Sequence, residues 1–178
     1  MNTILVGRYT IINKIGEGGL SEVFLVSDAR LLKQWAMKRI KKHDERMNQK
    51  TLLMTFQKEF SILSKLNHRG IPRISDQFED ENYFYVVMDY IKGETLASLL
   101  SEDKNRIENN IQAWMLQIID IFIYLHGTRP YPLLYLDLKP QNMICDENNN
   151  LYLIDFGTSC FQEGWQVASS ATPRICIT

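Results

Sequence analysis

Two kinds of hydrophobic pattern divide this chain. Up to about residue 90, short runs rich in β-branched and aromatic residues alternate with polar turns, which is typical of β-strands. These runs predict five strands, at residues 9–15, 22–27, 34–40, 71–79 and 83–90. Between the third and fourth runs, apolar residues recur every three or four positions from residue 51 to residue 66, which predicts one amphipathic helix.

The second part of the chain has a helical pattern. After Gly93 the spacing predicts a short helix at 95–101, with Thr95 or a neighbour as its cap, and a long helix at 107–126. The long helix has a broad apolar face, formed by Ile111, Trp114, Met115, Ile118, Phe122 and Leu125. A polar loop at 135–142 precedes two short strands, at 143–145 and 151–154. Strands followed by helices predict an α+β fold with a boundary near residues 91–93.

Composition narrows the class of protein. The chain has 178 residues, 45% of them hydrophobic, and a net charge of −1. These values suit one domain or two small lobes, and the charge gives no indication of binding to nucleic acid or to an anionic membrane surface. Three cysteines without CxxC spacing favour a reducing compartment. Because there is also no apolar run of membrane-spanning length and no signal-peptide pattern, we expect a cytoplasmic protein.

The polar loop carries the densest chemistry of the chain. Asp137, Lys139 and Asn142 can point from this one loop into a single site, and Asp155 of an Asp-Phe-Gly turn follows thirteen residues after the asparagine. Phosphoryl transfer needs a carboxylate to orient the attacking hydroxyl, a cation for the phosphate and oxygen ligands for Mg²⁺. The alternative, a polar turn followed by an ordinary β-turn, is disfavoured because five separate elements occur in order along the chain.

A glycine-rich segment separates the first two predicted strands. Residues 16–23 fit the pattern G-x-G-x-x-[GS]-x-V, with Ser21 in the place of the third glycine. Such a segment can be an ordinary hairpin turn or can open a dinucleotide-binding helix. Here it runs into a strand, which argues against the second alternative. Glycines let backbone N–H groups approach phosphate oxygens where a Cβ would clash.

Lys38 is a candidate phosphate ligand on the third predicted strand. A lone lysine in a strand is normally solvated, but Glu59 lies beside the buried stripe of the predicted helix, where an unpaired carboxylate is costly. A pair between Lys38 and Glu59 accounts for both residues. Glu45 is nearer in sequence but lies in a polar turn.

Taken in order, these elements resemble the eukaryotic-type protein kinase superfamily over residues 8–160. Lys139 followed by Pro140 is similar to the serine/threonine branch. The resemblance implies a protein-kinase-like two-lobe fold, with a complete five-stranded N-lobe and its helix at 1–92 and the first part of a helical C-lobe at 93–178. It implies an ATP- and Mg²⁺-dependent transfer of phosphate to a serine or threonine hydroxyl of a protein substrate.

The resemblance also implies a role for each candidate residue. Lys38, held by Glu59, would bind the α- and β-phosphates of ATP. Asp137 would orient the acceptor hydroxyl, Lys139 would stabilise the transferring group, and Asn142 and Asp155 would bind Mg²⁺. Met88 resembles the gatekeeper, and residues 89–91 resemble the hinge that meets adenine. The full ATP-binding set is Ile15, Gly16, Gly18, Ser21, Val23, Ala36, Lys38, Met88, Asp89, Tyr90, Ile91 and Met143.

Three departures from the family pattern qualify this interpretation. Tyr135 replaces the usual histidine, and Leu136 replaces the arginine that in many kinases pairs with a phosphorylated activation loop. Beyond Gly157 only a vague likeness to the activation loop remains, at residues 171–173, and no A-P-E follows. We therefore expect a catalytic domain truncated after the Asp-Phe-Gly motif, by a stop or a frameshift. Its long helix would expose an apolar face as a partner or aggregation surface.

Two alternatives to a protein kinase stay open on the sequence. One is a non-catalytic remnant that binds nucleotide or a partner but transfers nothing, because the intact motifs do not supply the missing C-terminal helices. The other is a small-molecule phosphotransferase of related fold. This alternative is disfavoured because such enzymes usually lack the loop lysine and the glycine pattern.

Overall fold

The computed structural model describes residues 5–6, 8–18, 21–43 and 49–162. Its first region is an antiparallel sheet of six strands in the order β1-β2-β3-β4-β6-β5. The strands are β1 (Leu5–Val6), β2 (Tyr9–Glu17), β3 (Ser21–Asp28), β4 (Lys33–Lys41), β5 (Ile74–Glu79) and β6 (Tyr83–Asp89). The five predicted strands are present, and β1 adds a two-residue strand too short to show a periodic pattern. The likeness to an activation loop at 171–173 lies outside the described residues.

The helix of this region, α1 (Gln49–Leu63), covers one face of the sheet. Successive residues of a strand point to opposite faces. Ile40, Phe84 and Val86 pack on one face with Phe56 of α1. The opposite face has its own core, formed by Tyr9, Phe24, Val26, Trp35, Met37, Tyr85 and Val87. Both faces of the central strands are therefore buried.

Two boundaries differ from the sequence prediction. The helix predicted to reach residue 66 ends at Leu63, because the N–H groups of Lys65 and Leu66 donate to carbonyls three residues back, at 3.1 Å each. The fourth predicted strand begins at Ile74 and not at residue 71. Pro72 has no N–H to donate, and the N–H of Ile71 already bonds His68 in a turn.

The second region consists of two helices and short strands. Its elements are β7 (Gly93–Thr95), α2 (Leu96–Glu102), α3 (Lys104–His126), β8 (Leu133–Leu134), a 3₁₀ turn (Pro140–Asn142), β9 (Met143–Asp146), β10 (Leu151–Leu153) and β11 (Cys160–Phe161). β9 lies between β10 and β7, and β11 pairs with β8. Among the described residues, no helix is long and apolar enough to cross a membrane.

Side-chain caps begin both helices of the second region. Thr95 accepts a hydrogen bond from the Ser98 N–H at 3.1 Å, so the predicted cap is confirmed. Asp103 accepts from the Arg106 N–H at 2.9 Å and starts α3 at Lys104. The prediction began this helix at residue 107, because its first turn carries only polar residues and gives no apolar signal.

α3 is covered by the described residues on one side only. Trp114, Ile121 and Leu125 are buried. Of the predicted apolar face, Ile111 and Met115 are exposed instead. The prediction treated one broad face as a unit, whereas the buried side follows Trp114 and Leu125 and leaves the neighbouring apolar positions to solvent.

A shared core joins the two regions. Leu63 of α1, Leu125 of α3 and Phe156 belong to one buried cluster. Beside it, the carbonyl of Gly70 accepts from the Leu153 N–H at 2.8 Å. A Cβ at Gly70 would lie 2.7 Å from Cδ1 of Ile121, so a side chain here would force either Ile121 or the loop to shift. This core sets the position of the first region against the polar loop of the second.

Candidate active site

Lys38, a residue of the first region, contacts side chains of both regions in the site. β4 holds it on the face that α1 covers, and its Nζ lies 2.6 and 2.9 Å from the carboxylate oxygens of Glu59. The Asp155 Oδ1 is 3.4 Å from the same nitrogen. The ion pair that the sequence predicts is therefore present, and it reaches across to the Asp-Phe-Gly turn.

The electrostatics of this pair keep Lys38 charged. Burial alone would lower the pKa of Lys38, but the negative charges of Glu59 and Asp155 more than offset that effect, and the pKa of Lys38 is raised. The side chains of Lys38 and Glu59 are only 14% and 10% exposed, so solvent screens their attraction weakly. A fixed, buried cation with one edge toward Asp155 suits a bound anion such as a phosphate.

The orientation of Asp155 follows from the residues beside it. Asp155 has φ of 64°, a left-handed conformation that aspartate tolerates better than most residues. Phe156 next to it is fully buried, with its ring 5.1 Å from the ring of Tyr135 in an edge-on contact. The Tyr135 hydroxyl donates to the Ile154 carbonyl at 2.6 Å. Anchored on both sides, the turn presents the half-exposed carboxylate of Asp155 to the site.

The polar loop forms a second, tightly bonded group. The Lys139 ammonium donates to Asp137 Oδ2 at 2.6 Å. The side-chain amide of Asn142 donates to both the carbonyl and Oδ2 of Asp137, at 2.9 Å each. The hydrogen bonds from Lys139 and then from Asn142 lower the pKa of Asp137, so its carboxylate is ionised at neutral pH.

Asn142 and Asp155 stand next to each other because a backbone hydrogen bond joins the 3₁₀ turn before β9 to the segment after β10. The Ile154 N–H donates to the Asn142 carbonyl at 2.9 Å, and Asp155 is the next residue. The Asn142 amide nitrogen is held by Asp137, which leaves its Oδ1 as the atom that can bind a cation. One carboxylate and one amide oxygen fit Mg²⁺, which takes few protein ligands and retains water or phosphate oxygens. No group of three or more His, Cys, Asp or Glu side chains in the described ranges could form a richer metal site.

Four of the residues predicted to contact nucleotide share the sheet face that carries Lys38. β3 and β4 pair Val23 with Lys38, and β4 and β6 pair Ala36 with Met88. Residues paired directly across a ladder lie on the same face. These four side chains therefore form a row between the glycine segment and the hinge.

The glycine segment lies at one side of this row, and Met143 of the second region lies at the other. We call the space between the two regions the cleft. Gly16 pairs with Val23, and the Gly18 N–H donates to the Ser21 carbonyl at 2.7 Å. Ile15, before them, is 41% exposed. Met143 lies in the shared core on the second region's side.

Among the three hinge residues, the side chain of Asp89 binds elsewhere in the protein. The side chain of Asp89 turns away from the cleft to Lys33 at 3.0 Å and to the N–H of Arg73 at 3.2 Å. The sequence predicts Asp89 only as a hinge residue. The distance along the chain from Asp89 to Lys33 and Arg73 does not indicate that they are in contact. Tyr90 and Ile91 are partly buried and follow directly. Only the backbone of Asp89 remains for a ligand.

Two departures from the family pattern have clear structural settings. Tyr135 links the polar loop to the Asp-Phe-Gly turn through its hydroxyl and its ring. Leu136 is 62% exposed and has no polar group. The role of Tyr135 could have been suspected from its place two residues before Asp137, but its partner Ile154 could not.

The chain is similar in sequence to a known family and to several curated proteins. A family model described as the protein kinase domain matches residues 9–174. A probable myosin light chain kinase of Dictyostelium discoideum is 31% identical over 86% of the chain and 47% of its own length. Serine/threonine-protein kinase PrkC of Bacillus subtilis is 29% identical over 85% of the chain and 22% of its own length. CBL-interacting protein kinase 11 of Oryza sativa is 27% identical over 90% of the chain and 31% of its own length.

The extent of these matches decides the assignment. The chain spans less than half the length of each of these relatives, and the family model covers nearly all of the chain. The match includes Lys38, the polar loop and the Asp-Phe-Gly turn. The chain belongs to the protein kinase family.

Proposed function

We propose that this chain carries the ATP-binding and catalytic residues of an Mg²⁺-dependent serine/threonine protein kinase. The observation that carries the proposal is the single contact network from Glu59 through Lys38 to Asp155. It joins the phosphate-binding cation of one region to a metal ligand of the other. A cation held there between two carboxylates is placed to bind an anionic ligand, which supports this function.

In this proposal, nucleotide lies between the two regions, 1–92 and 93–178. Val23, Ala36 and Met143 contact the adenine ring, with Met88 behind it and the backbone of residues 89–91 along its edge. Ile15, Gly16, Gly18 and Ser21 cover the sugar and phosphates from above. Backbone N–H groups of a glycine segment can approach phosphate oxygens because no Cβ intervenes.

The phosphates are held by charge and by metal ligands. Lys38 binds the α- and β-phosphate oxygens while Glu59 keeps its ammonium in place. Asn142 and Asp155 hold Mg²⁺, which when bound neutralises charge on the phosphates. The short Lys38–Glu59 distance means that this part of the site is already arranged for ligand, and a preorganised site loses less free energy on binding.

Transfer needs an acceptor hydroxyl in line with the γ-phosphate. Asp137 accepts a hydrogen bond from the serine or threonine hydroxyl and orients its oxygen toward phosphorus. The new O–P bond forms as the bond from phosphorus to the β–γ bridging oxygen breaks, the hydroxyl proton passes to Asp137, and ADP leaves. Lys139, which contacts Asp137, interacts with the charge on the transferring group.

The cellular setting is also part of the proposal. Cys145 is buried and both it and Cys160 are free thiols, which supports a reducing, cytoplasmic compartment. The substrate is a protein with an accessible serine or threonine.

The proposal is tested first by binding and then by transfer. We expect Mg²⁺-ATP to raise the thermal midpoint of the chain, and Lys38→Met or Asp155→Asn to abolish that shift. Where the chain transfers ³²P to a generic protein, either variant should lose ~10²–10³ in rate, the usual value of one preorganised electrostatic contact. Lys42→Met is the matched control, because Lys42 also pairs with a glutamate, Glu79 at 2.9 Å, but beyond the end of β4.

Three outcomes would reject parts of this assignment. No shift with Mg²⁺-ATP would reject nucleotide binding. A shift without any protein phosphorylation would favour the non-catalytic alternative, and transfer to small hydroxyl compounds but not to protein would favour the small-molecule phosphotransferase.

A further inference from the structure

The β9–β10 hairpin carries both candidate Mg²⁺ ligands at the end opposite to its turn. Asn142 directly precedes β9, and Asp155 lies two residues beyond β10. The two strands pair over three residues each, 143–145 with 151–153. A two-stranded hairpin of this size is at best marginally stable by itself. The position of the two ligands therefore depends on the elements that hold the hairpin.

The turn of this hairpin has a defined shape. Asp146 Oδ1 accepts hydrogen bonds from the N–H groups of Asn148 and Asn150, at 2.9 and 2.8 Å. The N–H of Asp146 donates to the carbonyl of Asn150 at 3.0 Å. Asn149 has φ of 61°, a left-handed conformation that asparagine tolerates better than most residues. Because the turn is bonded to itself in this way, an element that holds one of its residues holds the whole turn.

Three side chains of α3 hold this turn. The carbonyl of Asn149 accepts from Nε1 of Trp114 at 3.1 Å and from the side-chain amide of Gln117 at 3.0 Å. The side-chain oxygen of Asn149 accepts from Nε of Arg106 at 3.0 Å, and Arg106 also donates to the carbonyl of Asp146 at 2.7 Å. Arg106, Trp114 and Gln117 lie within about 80° of one another around the helix, so they form one side of it. The turn is thus fixed to a helix of 23 residues.

Gln117 binds the hairpin at two points. Its Oε1 accepts from the N–H of Leu151 at 2.8 Å, while its Nε2 donates to the carbonyl of Asn149. A side-chain amide carries an acceptor and a donor side by side, which these two backbone groups require. Leu151 is the first residue of β10 and lies four residues before Asp155, about 13 Å along an extended strand. Gln117 therefore fixes both the turn and the start of the strand that leads to a metal ligand.

We propose that Gln117 is a positioning residue for the metal site. By holding the turn and β10, it sets where Asn142 and Asp155 stand at the other end of the hairpin. This role rests on the proposed function, in which those two residues bind Mg²⁺. Because Mg²⁺ demands near-ideal octahedral geometry, a small displacement of its ligands lowers its affinity.

The effect of Gln117 is graded, because the ligand end of the hairpin has bonds of its own. Asn142 is held by Asp137, and the hydroxyl of Tyr135 donates to the carbonyl of Ile154. These bonds limit the displacement when the turn is released. Replacing a group that orients metal ligands typically lowers metal affinity ~10- to 100-fold, and we expect the lower end of this range for Gln117.

The experiment measures the affinity of the 178-residue chain for ATP by calorimetry, in EDTA and in excess Mg²⁺. The Kd in EDTA divided by the Kd in Mg²⁺ gives a ratio that reports how much the metal strengthens ATP binding. Gln117→Met keeps the length of the side chain but not its hydrogen bonds. It should lower this ratio about 10-fold and leave the affinity in EDTA unchanged.

A residue that only stabilises the fold would not change the ratio at a temperature where every variant is folded, which circular dichroism melts establish. Gln112→Met is the matched control, because Gln112 is an exposed glutamine of the same helix. It makes the same chemical change away from the hairpin and should leave the ratio as it is in the unmodified chain.

A second pair of variants tests the turn itself. Asn149→Gly keeps the backbone carbonyl and the left-handed conformation, and should retain most of the ratio. Valine is strongly disfavoured at positive φ, so Asn149→Val should displace the carbonyl from Gln117 and lower the ratio as Gln117→Met does. This pair gives the same test if Gln117→Met does not fold.

Asp155→Asn separates this role from the proposed function, because it should remove the effect of Mg²⁺ on ATP affinity. If it does not, or if the chain binds no ATP, the metal assignment fails and the role of Gln117 fails with it. If Asp155→Asn removes the effect while Gln117→Met or Asn149→Val retains it in full, only the positioning role is overturned.

Discussion

The two regions of this molecule bury their apolar residues in different ways. In the first, the central strands have a core on each face, one shared with α1 and one of the sheet's own aromatic residues. In the second, α3 is buried on one side and exposes large apolar side chains on the other. The site draws on both regions. Lys38 and Glu59 stand on elements packed from two sides, whereas Asp137 and Asp155 stand on loops held by a few hydrogen bonds and two rings.

This difference indicates where the site is most sensitive. A catalytic group displaced by about 1 Å can lose ~10²-fold in rate. The ion pair of the first region is fixed by regular strands and a helix, and it should tolerate surface changes well. The loops of the second region depend on close backbone approaches, and disturbing one of these approaches is the strongest test of the comparison.

The largest effect is expected from Gly93→Ala in the second region. A Cβ at Gly93 would overlap the backbone carbonyl of Cys145 in the paired strand, so β7 would have to separate from β9. We expect a loss of about 3 kcal/mol in the free energy of unfolding, at the upper end of the usual cost of overpacking. Urea unfolding measures the loss, and hydrogen exchange should locate it at β7 and β9.

The control for that variant lies in the first region. At Gly16 an added Cβ would be 3.5 Å from Cβ of Val23, which is an ordinary contact. Gly16→Ala should therefore cost less than ~1 kcal/mol of unfolding free energy. Equal losses in the two variants would contradict the idea that the second region depends more on close backbone packing.

A smaller effect is expected from Asp89→Asn at the end of the first region. Burial would raise the pKa of Asp89, but hydrogen bonds from Lys33 and the Arg73 N–H outweigh it, and the pKa is lowered from its ordinary 3.8. A carboxyl with a lowered folded-state pKa stabilises the fold above its unfolded pKa and loses that contribution as pH falls through the folded value. Since Lys33 and Arg73 are partly exposed, we expect about 1 kcal/mol at pH 7.

The pH dependence separates this contact from a general effect of charge. Thermal unfolding of Asp89→Asn and of the unmodified chain should differ at pH 7 and converge below pH 3.8. Glu81→Gln, which removes an exposed acid at the other end of β6, should show no such dependence. A constant difference across the whole pH range would rule out the Lys33–Asp89–Arg73 contact as its source.

No effect is expected from dephosphorylation. Leu136 is exposed and has no group that can bind a phosphate, so the polar loop cannot be held by a phosphorylated activation loop through this position. In any version of the chain that transfers phosphate, phosphatase treatment should leave the rate within about twofold, because no contact worth even ~0.5 kcal/mol is lost. Activity that disappears on phosphatase treatment and returns on autophosphorylation would show a different anchor for the loop.

Local patterns predict this fold well where the signal is local. Runs of β-branched and aromatic residues predict the five longer strands, and the three-to-four spacing of apolar residues predicts α1 and most of α3. The pairing of Lys38 with Glu59 also followed from sequence, because a carboxylate beside a buried stripe needs a partner. Each of these predictions depends on residues whose burial is determined by residues close to them in the sequence.

Contacts between distant segments could not be predicted in the same way. β8 and β11 are two residues long and exist because Leu133–Leu134 and Cys160–Phe161 meet in the folded chain. The turn of Asp89 toward Arg73 depends on the antiparallel pairing of β5 with β6, not on any motif. The uneven covering of α3 depends on which side Trp114 packs, and an apolar arc that includes both buried and exposed positions cannot indicate that.

The hydrogen bonds along the outer edge of β10 have a further consequence. An exposed strand edge offers free N–H groups to other chains and can seed aggregation. In β10 the Leu151 N–H donates to the Gln117 side chain and the Leu153 N–H donates to the Gly70 carbonyl, each at 2.8 Å. α3 and the loop after α1 thus close this edge with one side chain and one glycine. Replacing Gln117 would leave the Leu151 N–H free to pair with a strand of another molecule, whereas the bond to Gly70 depends on the position of its loop.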